Sequence, residues 1–241
     1  VEAQAALRGI EHVLERRQGG FRLQYPCHSP TEARWFEMQV FPLRGSRTGV
    51  VIAHEEVTAQ KQIEDTLRTS LAEVKRHDAQ MMTLNQMNDL LLSCETHEEA
   101  YGIIAYSAAA LFAPYAGGLA IRNGVPSELR VAAAWGDPNN LSPYFSLHDC
   151  WALRRGQLHE VDPAGDEIDC RHFLNDPPKT YLCMPLTVRG VTLGLLHVNA
   201  SPMLTEAQFQ ELRTLVVAVS ESIKLALSNL TLREALRKYG G

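Results

Sequence analysis

The sequence has no long run of basic residues and no long apolar run. Its 23 lysines and arginines are outnumbered by 28 acidic residues and nowhere form a run of five, so a nucleic-acid-binding surface is not expected. The longest wholly aliphatic runs, such as residues 215–219, are far shorter than the ~20 residues that a membrane helix needs. Residues 1–20 also lack the charged start and apolar stretch of a secretion signal. We therefore expect a cytoplasmic chain without a membrane span.

Cysteine is scarce as well. Five cysteines, an odd number at irregular spacing, suit reduced thiols better than a disulfide framework. The remaining composition, 45% hydrophobic and 21% charged, excludes a disordered or low-complexity chain. A length of 241 residues allows two small domains or one large one.

The first sixty residues predict a helix followed by a three-stranded antiparallel sheet. Alternating apolar residues indicate strands at 21–27, 34–43 and 48–54, with turn residues at 26–30 and 44–47 between them. The preceding helix is predicted from apolar residues three or four positions apart: Ala6, Leu7, Ile10, Val13 and Leu14.

A polar stretch without glycine or proline follows, from Thr58 to about Ser93, and predicts one long helix. The charged segment 75–78 interrupts its apolar positions, which favours a linker helix paired with a copy of itself over a self-sufficient domain. The apolar positions are Ile63, Leu67, Leu71, Val74, Met81, Leu84, Met87 and Leu91.

The second half predicts two hairpins enclosed by helices. Thr96 is a helix N-cap, Asn123-Gly124 is a strong turn signal, and a further hairpin surrounds Arg189-Gly190. Residues 136–178 are irregular, and long loops of this kind are usually functional.

The last helix, residues 205–238, begins with a capping box of Thr205 and Gln208. We expect its second part, from Ile223, to contact a second chain, because the helix outruns any domain that it could cover. The predicted seam is the apolar row with spacings of three and four residues: Phe209, Leu212, Val216, Val219, Ile223, Ala226 and Leu230. Leu225, Leu232 and Leu236 lie outside this seam.

The first region resembles the C-terminal half of a PAS domain. The resemblance rests on residues 25–30 (YPCHSP), 34–36 (RWF), 42–43 (PL) and 54–58 (HEEVT). It implies three closing strands and a boundary from which a signalling helix departs. The earlier strands of a PAS core lie outside these residues, so we expect an incomplete pocket and assign no ligand to it.

Residues 82–230 resemble a GAF domain of the kind found upstream of diguanylate cyclase (GGDEF) domains. The resemblance rests on residues 149–156 (DCWALRRG), 170–172 (CRH), 181–186 (YLCMPL) and 194–197 (GLLH). It implies a bacterial sensory region whose last helix leads to an output domain. No GGDEF string occurs, so we expect no catalytic residues, and the missing Asn-Lys-Phe-Asp-Glu signature argues against a cyclic nucleotide ligand.

Cys150, Cys170, His172 and Cys183 lie in or beside the loops that should cover the GAF pocket. Three thiols and an imidazole suffice for a tetrahedral site for zinc, and thiolates also bind iron–sulfur clusters. Two alternatives stay open. Buried cysteines often pack as small apolar residues, and the thiols could instead perform redox chemistry.

The redox alternative has a precedent, because some GAF-fold proteins reduce free methionine sulfoxide with cysteines near the same pocket. A haem or bilin site is only loosely suggested by Cys170 and His172. For a planar or anionic small-molecule ligand, the candidate binding residues are Trp135, Trp151, Arg154 and Arg155.

These features predict an α+β chain: an antiparallel-sheet GAF domain with flanking long helices, preceded by a partial PAS fold and a helical linker. The expected boundaries are 1–58 for the PAS half, 59–81 for the linker, 82–230 for the GAF domain and 231–241 for the output helix. We expect a homodimer that responds to a small ligand, metal or redox signal and regulates a C-terminal output domain in cis. The resemblance implies cyclic-di-GMP synthesis as the output, with a histidine kinase as the alternative.

Overall fold

A computed structural model describes residues 2–43, 49–122, 124, 127–137, 140–162 and 167–239. The chain forms two compact units, residues 1–77 and 78–241. The predicted turn at residues 44–47 and Asn123 of the predicted Asn-Gly turn lie outside the described residues.

The first unit contains a helix and a three-stranded antiparallel sheet, as the sequence predicts. Its elements are α1 (Glu2–Leu14), β1 (Phe21–Pro26), β2 (Trp35–Pro42) and β3 (Val50–Glu56), and the strand order is β1-β2-β3. The apolar side of α1 packs on the sheet around a small core of Val13, Met38 and Val40. The local periodicities of 3.6 and 2 residues were therefore sufficient to locate these elements.

The helix α2 (Thr58–Ser93) has the predicted bounds, but its apolar positions separate into two groups. The first group is exposed and comprises Ile63, Leu67, Leu71 and Val74. The second group is buried and comprises Leu84, Met87 and Leu91. Met81, which follows the charged segment 75–78, is still 42% exposed, so the helix enters the core of the second unit at Leu84.

The second unit is built on a six-stranded antiparallel sheet with the strand order β6-β5-β4-β9-β8-β7. Both predicted hairpins are present in it. The elements are α3 (His97–Leu111), β4 (Gly117–Arg122), β5 (Glu128–Trp135), β6 (Tyr144–Ser146), α4 (Trp151–Arg155), β7 (His159–Val161), β8 (Tyr181–Val188), β9 (Val191–Asn199) and α5 (Glu206–Tyr239).

The edge strands β6 and β7 and the helix α4 lie in the region predicted to be irregular. Each edge strand has three residues and α4 has five. Segments of this length contain too few positions for a periodic pattern to be detected. Their positions are decided by pairing with β5 and β8 and by packing on the sheet.

The sheet separates two cores, which we call the helix-side core and the loop-side core. The helix-side core contains residues of α2, α3 and α5, and the loop-side core contains residues of α4 and the neighbouring loops. Alternation along the strands assigns each side chain to one of them. In β8, Leu182 belongs to the helix-side core and Cys183 to the loop-side core.

The helix α5 begins with the predicted capping box. The Gln208 amide donates to Oγ1 of Thr205 at 3.3 Å, and the Thr205 amide donates to Oε1 of Gln208 at 3.0 Å. The prediction that the seam from Ile223 contacts a second chain is wrong. Ile223, Ala226 and Leu230 lie in the helix-side core of their own chain.

The C-terminal part of α5 is covered by the start of α3, which explains this correction. His97 Nδ1 lies 2.9 Å from Oε1 of Glu234, and Arg233 donates to the Cys94 carbonyl at 3.4 Å. The helix therefore does not outrun its own domain at these residues. The side chains off the predicted seam are the exposed ones: Leu225 (62%), Leu232 (58%) and Leu236 (64%).

Within the described residues, α5 is also the one helix long and apolar enough to cross a membrane. Its most apolar window, within Glu206–Lys238, has a mean hydropathy of 1.4. Part of this hydropathy comes from the side chains that fill the helix-side core, such as Val216, Val219 and Ile223. A core helix that is apolar on two faces passes the same test as a membrane helix.

Candidate functional site

The four predicted metal ligands converge on the loop-side of the sheet. One ligand atom from each of Cys150, Cys170, His172 and Cys183 lies within 4.8 Å of the others. All four residues are buried, with exposed fractions of 0, 4, 0 and 0%. Cys150 immediately precedes α4 as its N-cap, Cys170 and His172 follow β7 in a loop, and Cys183 lies in β8.

Strand register adds two histidines to this cluster. Cys183 in β8 pairs with His159 on β7 and with His197 on β9. Directly paired residues on neighbouring antiparallel strands point to the same face of a sheet. The three side chains therefore form a row across the loop-side face, and both histidines are buried.

The loop that carries Cys170 and His172 is fixed by hydrogen bonds on both sides. The Cys170 amide donates to the Tyr181 hydroxyl at 2.7 Å, and the Arg171 amide donates to the Asp149 carbonyl at 2.7 Å. The Ser142 amide donates to the His172 carbonyl at 3.0 Å. The positions of the two side chains are thus set by β8 and by the segments before β6 and α4.

Sulfur atoms make most of the short contacts inside the cluster. The Sγ atoms of Cys150 and Cys170 are 3.9 Å apart, and the Trp151 amide donates to Sγ of Cys170 at 3.3 Å. Sγ of Cys183 lies 3.7 Å from Nε2 of His172 and 3.3 Å from Nδ1 of His197. Each thiol therefore has at least one polar neighbour within the cluster.

The three thiols differ in pKa. The hydrogen bond with Cys150, then that with Cys183, and more weakly contacts with His159 and His172, lower the pKa of Cys170. The hydrogen bond with Cys170 raises the pKa of Cys150 to about 12, and burial raises the pKa of Cys183 well above its usual range. Because several donors converge on one sulfur, the first proton leaves the cluster from Cys170.

The histidines differ in their hydrogen bonds. Burial, followed by the charge of His172, lowers the pKa of His197 to about 3, so His197 is neutral at physiological pH. Its Nε2 donates to Oδ1 of Asn199 at 2.6 Å, and Nδ1 therefore directs a lone pair at Cys183. Nδ1 of His172 is buried and has no hydrogen-bond partner among the described residues.

Aromatic rings enclose the imidazoles. The His172 ring centroid lies 4.4 Å from that of Phe173 and 5.0 Å from that of Phe145. The Tyr181 and Phe173 rings also contact His197, with centroids 5.7 and 5.3 Å away. This wall lowers the local dielectric constant and strengthens every interaction between charged groups inside it.

Two of the four predicted small-molecule-binding residues lie next to the cluster and bind each other. The Arg154 guanidinium lies over the Trp151 ring, 4.1 Å from its centroid, and Trp151 Nε1 donates to the Asp169 carbonyl at 3.2 Å. Arg154 and Arg155 are exposed at the end of α4.

Trp135 requires a correction, because it lies on the opposite side of the sheet. It is buried in the helix-side core and stacks on Phe112, with ring centroids 5.6 Å apart. The sequence showed that Trp135 ends a strand but not which face of the strand it occupies.

Sequence reasoning assigned no role to His197 or Tyr181 and no partner to His159, a spare possible ligand. Their signal was the register of β7, β8 and β9, which cannot be read before the strands are paired. Three thiols and three imidazoles lie in one buried region. Such a set can bind a soft metal ion or exchange protons and electrons among its thiols.

The comparisons with known proteins agree with this architecture. The family model described as GAF domain matches residues 91–227. The solved GAF domain of nlh2 from A. aeolicus, in an inactive state, has a TM-score of 0.51 at 14% identity, covering 64% of this chain and 98% of that one. A methyl-accepting chemotaxis protein fragment has a TM-score of 0.50 at 14% identity, covering 62% and 99%. Both similarities show that this chain shares the fold of these proteins.

Two further proteins are similar to this chain. A free methionine-R-sulfoxide reductase from Neisseria meningitidis has a TM-score of 0.46 at 16% identity, covering 62% of this chain and 91% of that one. An uncharacterized 104.1 kDa protein in the hypE 3′ region of Rhodobacter capsulatus is 45% identical over 56 residues. That segment is 23% of this chain and 6% of the relative, so the match spans a small part of the relative's length.

Proposed function

This chain belongs to the GAF domain family, and from that premise we propose that it is a non-catalytic sensory region that passes a signal through paired helices to an output domain. GAF domains are mostly regulatory, although some are enzymes. The proposal places the stimulus at the loop-side cluster and the transmission in α5.

The observation that carries the proposal is a second apolar face on α5. Leu225, Asn229, Leu232 and Leu236 follow one another at spacings of four, three and four residues, which is the a/d pattern of a coiled coil. The three leucines are exposed. A single asparagine at an a position between leucines at d is typical of parallel two-stranded coiled coils, because it selects the register and the number of strands.

The same helix also contacts the sheet that carries the cluster. Residues of α5 pack on β8, where Leu182 belongs to the helix-side core and the adjacent Cys183 to the cluster. A change in the position of Cys183 therefore reaches the core packing of α5 through one residue of β8. A stimulus shifts the output when it interacts differently with two such packings.

The identities proposed for the output domain and for the first unit rest on the sequence resemblances described above. The motifs of residues 149–156 and 181–186 support a diguanylate cyclase as the output, with a histidine kinase as the alternative. The helix and three strands of the first unit support the PAS half. α2 has four exposed apolar residues, Ile63, Leu67, Leu71 and Val74, which support its pairing with the same helix of a second chain. The proposed location of this dimer is the cytoplasm.

Sedimentation of the purified chain at micromolar concentration tests the proposed transmission through paired helices, which we call the relay. We expect a dimer, and we expect Leu225→Lys combined with Leu232→Lys to produce a monomer, because four like charges would face each other in the seam. Met203→Lys changes a more exposed apolar residue outside α5 and serves as the control. A monomeric unmodified chain, or a dimer that tolerates both seam substitutions, would contradict the proposal.

A thiol-dependent sulfoxide reductase is the second candidate, favoured by the 3.9 Å distance between the Sγ atoms of Cys150 and Cys170. Two thiols would become a disulfide, and methionine sulfoxide would become methionine and water. The burial of both thiols opposes access of a substrate. Turnover of free methionine sulfoxide that Cys150→Ser abolishes would establish the enzyme, and the absence of turnover would exclude it.

A further inference from the structure

We infer that Cys150, Cys170, His172 and Cys183 bind a single Zn²⁺ ion in a closed tetrahedral site. The inference names the ligand of the sensory domain and rests on the proposed function only for the role of that ligand in signalling. It is carried by the spacing of the donor atoms, their chemistry, and the rigidity of the segments that hold them.

The donor atoms are spaced like the corners of a tetrahedron around one zinc ion. With Zn–S bonds of about 2.3 Å and Zn–N bonds of about 2.0–2.1 Å, two sulfurs are about 3.8 Å apart, and a sulfur and a nitrogen about 3.6 Å. The Sγ atoms of Cys150 and Cys170 are 3.9 Å apart, and Nε2 of His172 is 3.7 Å from Sγ of Cys183. All four donors lie within 4.8 Å of one another.

This spacing distinguishes a single ion from an iron–sulfur cluster. A cluster places iron and sulfide atoms between its thiolates and therefore needs them farther apart than one ion does. Donors that all lie within 4.8 Å of one another leave no room for it. Three thiolates and an imidazole also suit zinc rather than calcium or magnesium, which prefer oxygen donors.

The donors are held in place without the ion. Cys183 lies within β8, between β7 and β9, and Cys150 is fixed by the start of α4. The Cys170 amide is bound by the Tyr181 hydroxyl at 2.7 Å, and the His172 carbonyl accepts from the Ser142 amide at 3.0 Å. Little conformational entropy remains to be lost when the ion binds.

The neighbours of the cluster are suited to the charge of the loaded site. Three thiolates around Zn²⁺ carry one net negative charge, and the Trp151 amide already donates to Sγ of Cys170 at 3.3 Å. The neutral His197 lies 3.3 Å from Sγ of Cys183. Because the carboxamide of Asn199 both accepts and donates, the pair can reverse its hydrogen bond so that His197 Nδ1–H donates to the Cys183 thiolate.

His172 presents Nε2 to the ion, because that atom lies 3.7 Å from Sγ of Cys183. With four protein donors, the ion has no open position, which is typical of structural rather than catalytic zinc.

Metal analysis of the whole chain, purified without chelator or oxygen, tests the inference. We expect about one zinc per chain. Cys183→Ser and His172→Asn should each lower the zinc affinity at least tenfold, whereas Cys94→Ser and Cys27→Ser, which change thiols outside the cluster, should keep it. Replacing zinc with Co²⁺ should produce the intense visible absorption of tetrahedral thiolate coordination, a readout that does not depend on any variant folding.

Two results would overturn the inference: a folded chain that takes up neither zinc nor cobalt, or iron and sulfide in stoichiometric amounts. Sedimentation of the same samples separates this inference from the relay. A metal-free dimer would refute the zinc site alone, and a zinc-loaded monomer would refute the relay alone.

Discussion

The two faces of the six-stranded sheet share the same strands but differ in chemistry. On the helix-side core, the buried residues of β8 and β9 are Leu182, Leu186, Leu196 and Val198. On the loop-side, the intervening positions are Tyr181, Cys183, Leu195 and His197. On these two strands, one face therefore buries apolar side chains, and the other also buries polar groups that need partners.

The difference shows how a small domain combines stability with a reactive site. Apolar burial on the helix-side supplies a scaffold that does not depend on protonation or ligand. That scaffold fixes the strand register that aligns His159, Cys183 and His197 on the other face. Changes confined to one face should therefore have effects that are specific to that face.

Removal of the ion should have the largest effect. We expect chelation to lower the free energy of unfolding by about 4 kcal/mol, if zinc had been present at about 1,000 times its dissociation constant. Hydrogen exchange should accelerate in loop-side segments such as residues 140–150 and 167–175 and remain slow in α3. Equal acceleration in both places, or none, would contradict the separation of the two faces.

Leucine truncations on adjacent positions of β9 should have the next largest effect. Leu196→Ala on the helix-side and Leu195→Ala on the loop-side both remove a fully buried side chain, and each should lower the free energy of unfolding by about 3 kcal/mol. Only Leu195→Ala should also weaken zinc binding. Denaturant titrations with and without zinc measure both quantities, and an equal loss of zinc affinity in the two variants would refute the contrast.

Acid should destabilise the metal-free protein through the loop-side. The folded pKa of His197 is lowered from 6.5 to about 3, so its contribution is complete above pH 6.5 and is lost as the pH falls towards 3. At pH 5 the expected loss is about 2 kcal/mol. Urea unfolding at pH 5 and above pH 6.5 measures this loss of stability. Leu196→Ala should retain this pH dependence and His197→Gln should reduce it, and the opposite pattern would exclude His197 as its origin.

Arg154→Ala should have the smallest effect. The exposed guanidinium over Trp151 is worth about 0.5 kcal/mol, whereas Arg155→Ala, the adjacent exposed control, should change the free energy of unfolding by less. Thermal unfolding of the two variants, followed by the fluorescence of the three tryptophans, measures the difference. A large loss of zinc affinity in either variant would show that the surface pair contributes to the cluster.

Much of the fold could be predicted from local patterns, as particular elements show. The bounds of α2 and β8, the N-cap at Thr96 and the capping box at Thr205 follow from periodicity and from side chains within four residues. The edge strands β6 and β7 could not be predicted, because three residues do not establish a period. The four possible ligands were identifiable as residue types, but their convergence depends on pairing between distant segments.

The helix α5 shows which properties depend on the sequence and which depend on the tertiary structure. Its sequence by itself determined a long helix with two apolar faces, because spacings of three and four residues fix which side chains share a face. Only the tertiary structure decided that Ile223, Ala226 and Leu230 lie in the helix-side core and that Leu225, Leu232 and Leu236 remain exposed. Periodicity is a local property, whereas burial depends on β8 and on the start of α3, which are distant in the chain. For the same reason the sequence determined three thiols and an imidazole, and only strand pairing and loop packing brought their donor atoms within 4.8 Å of one another.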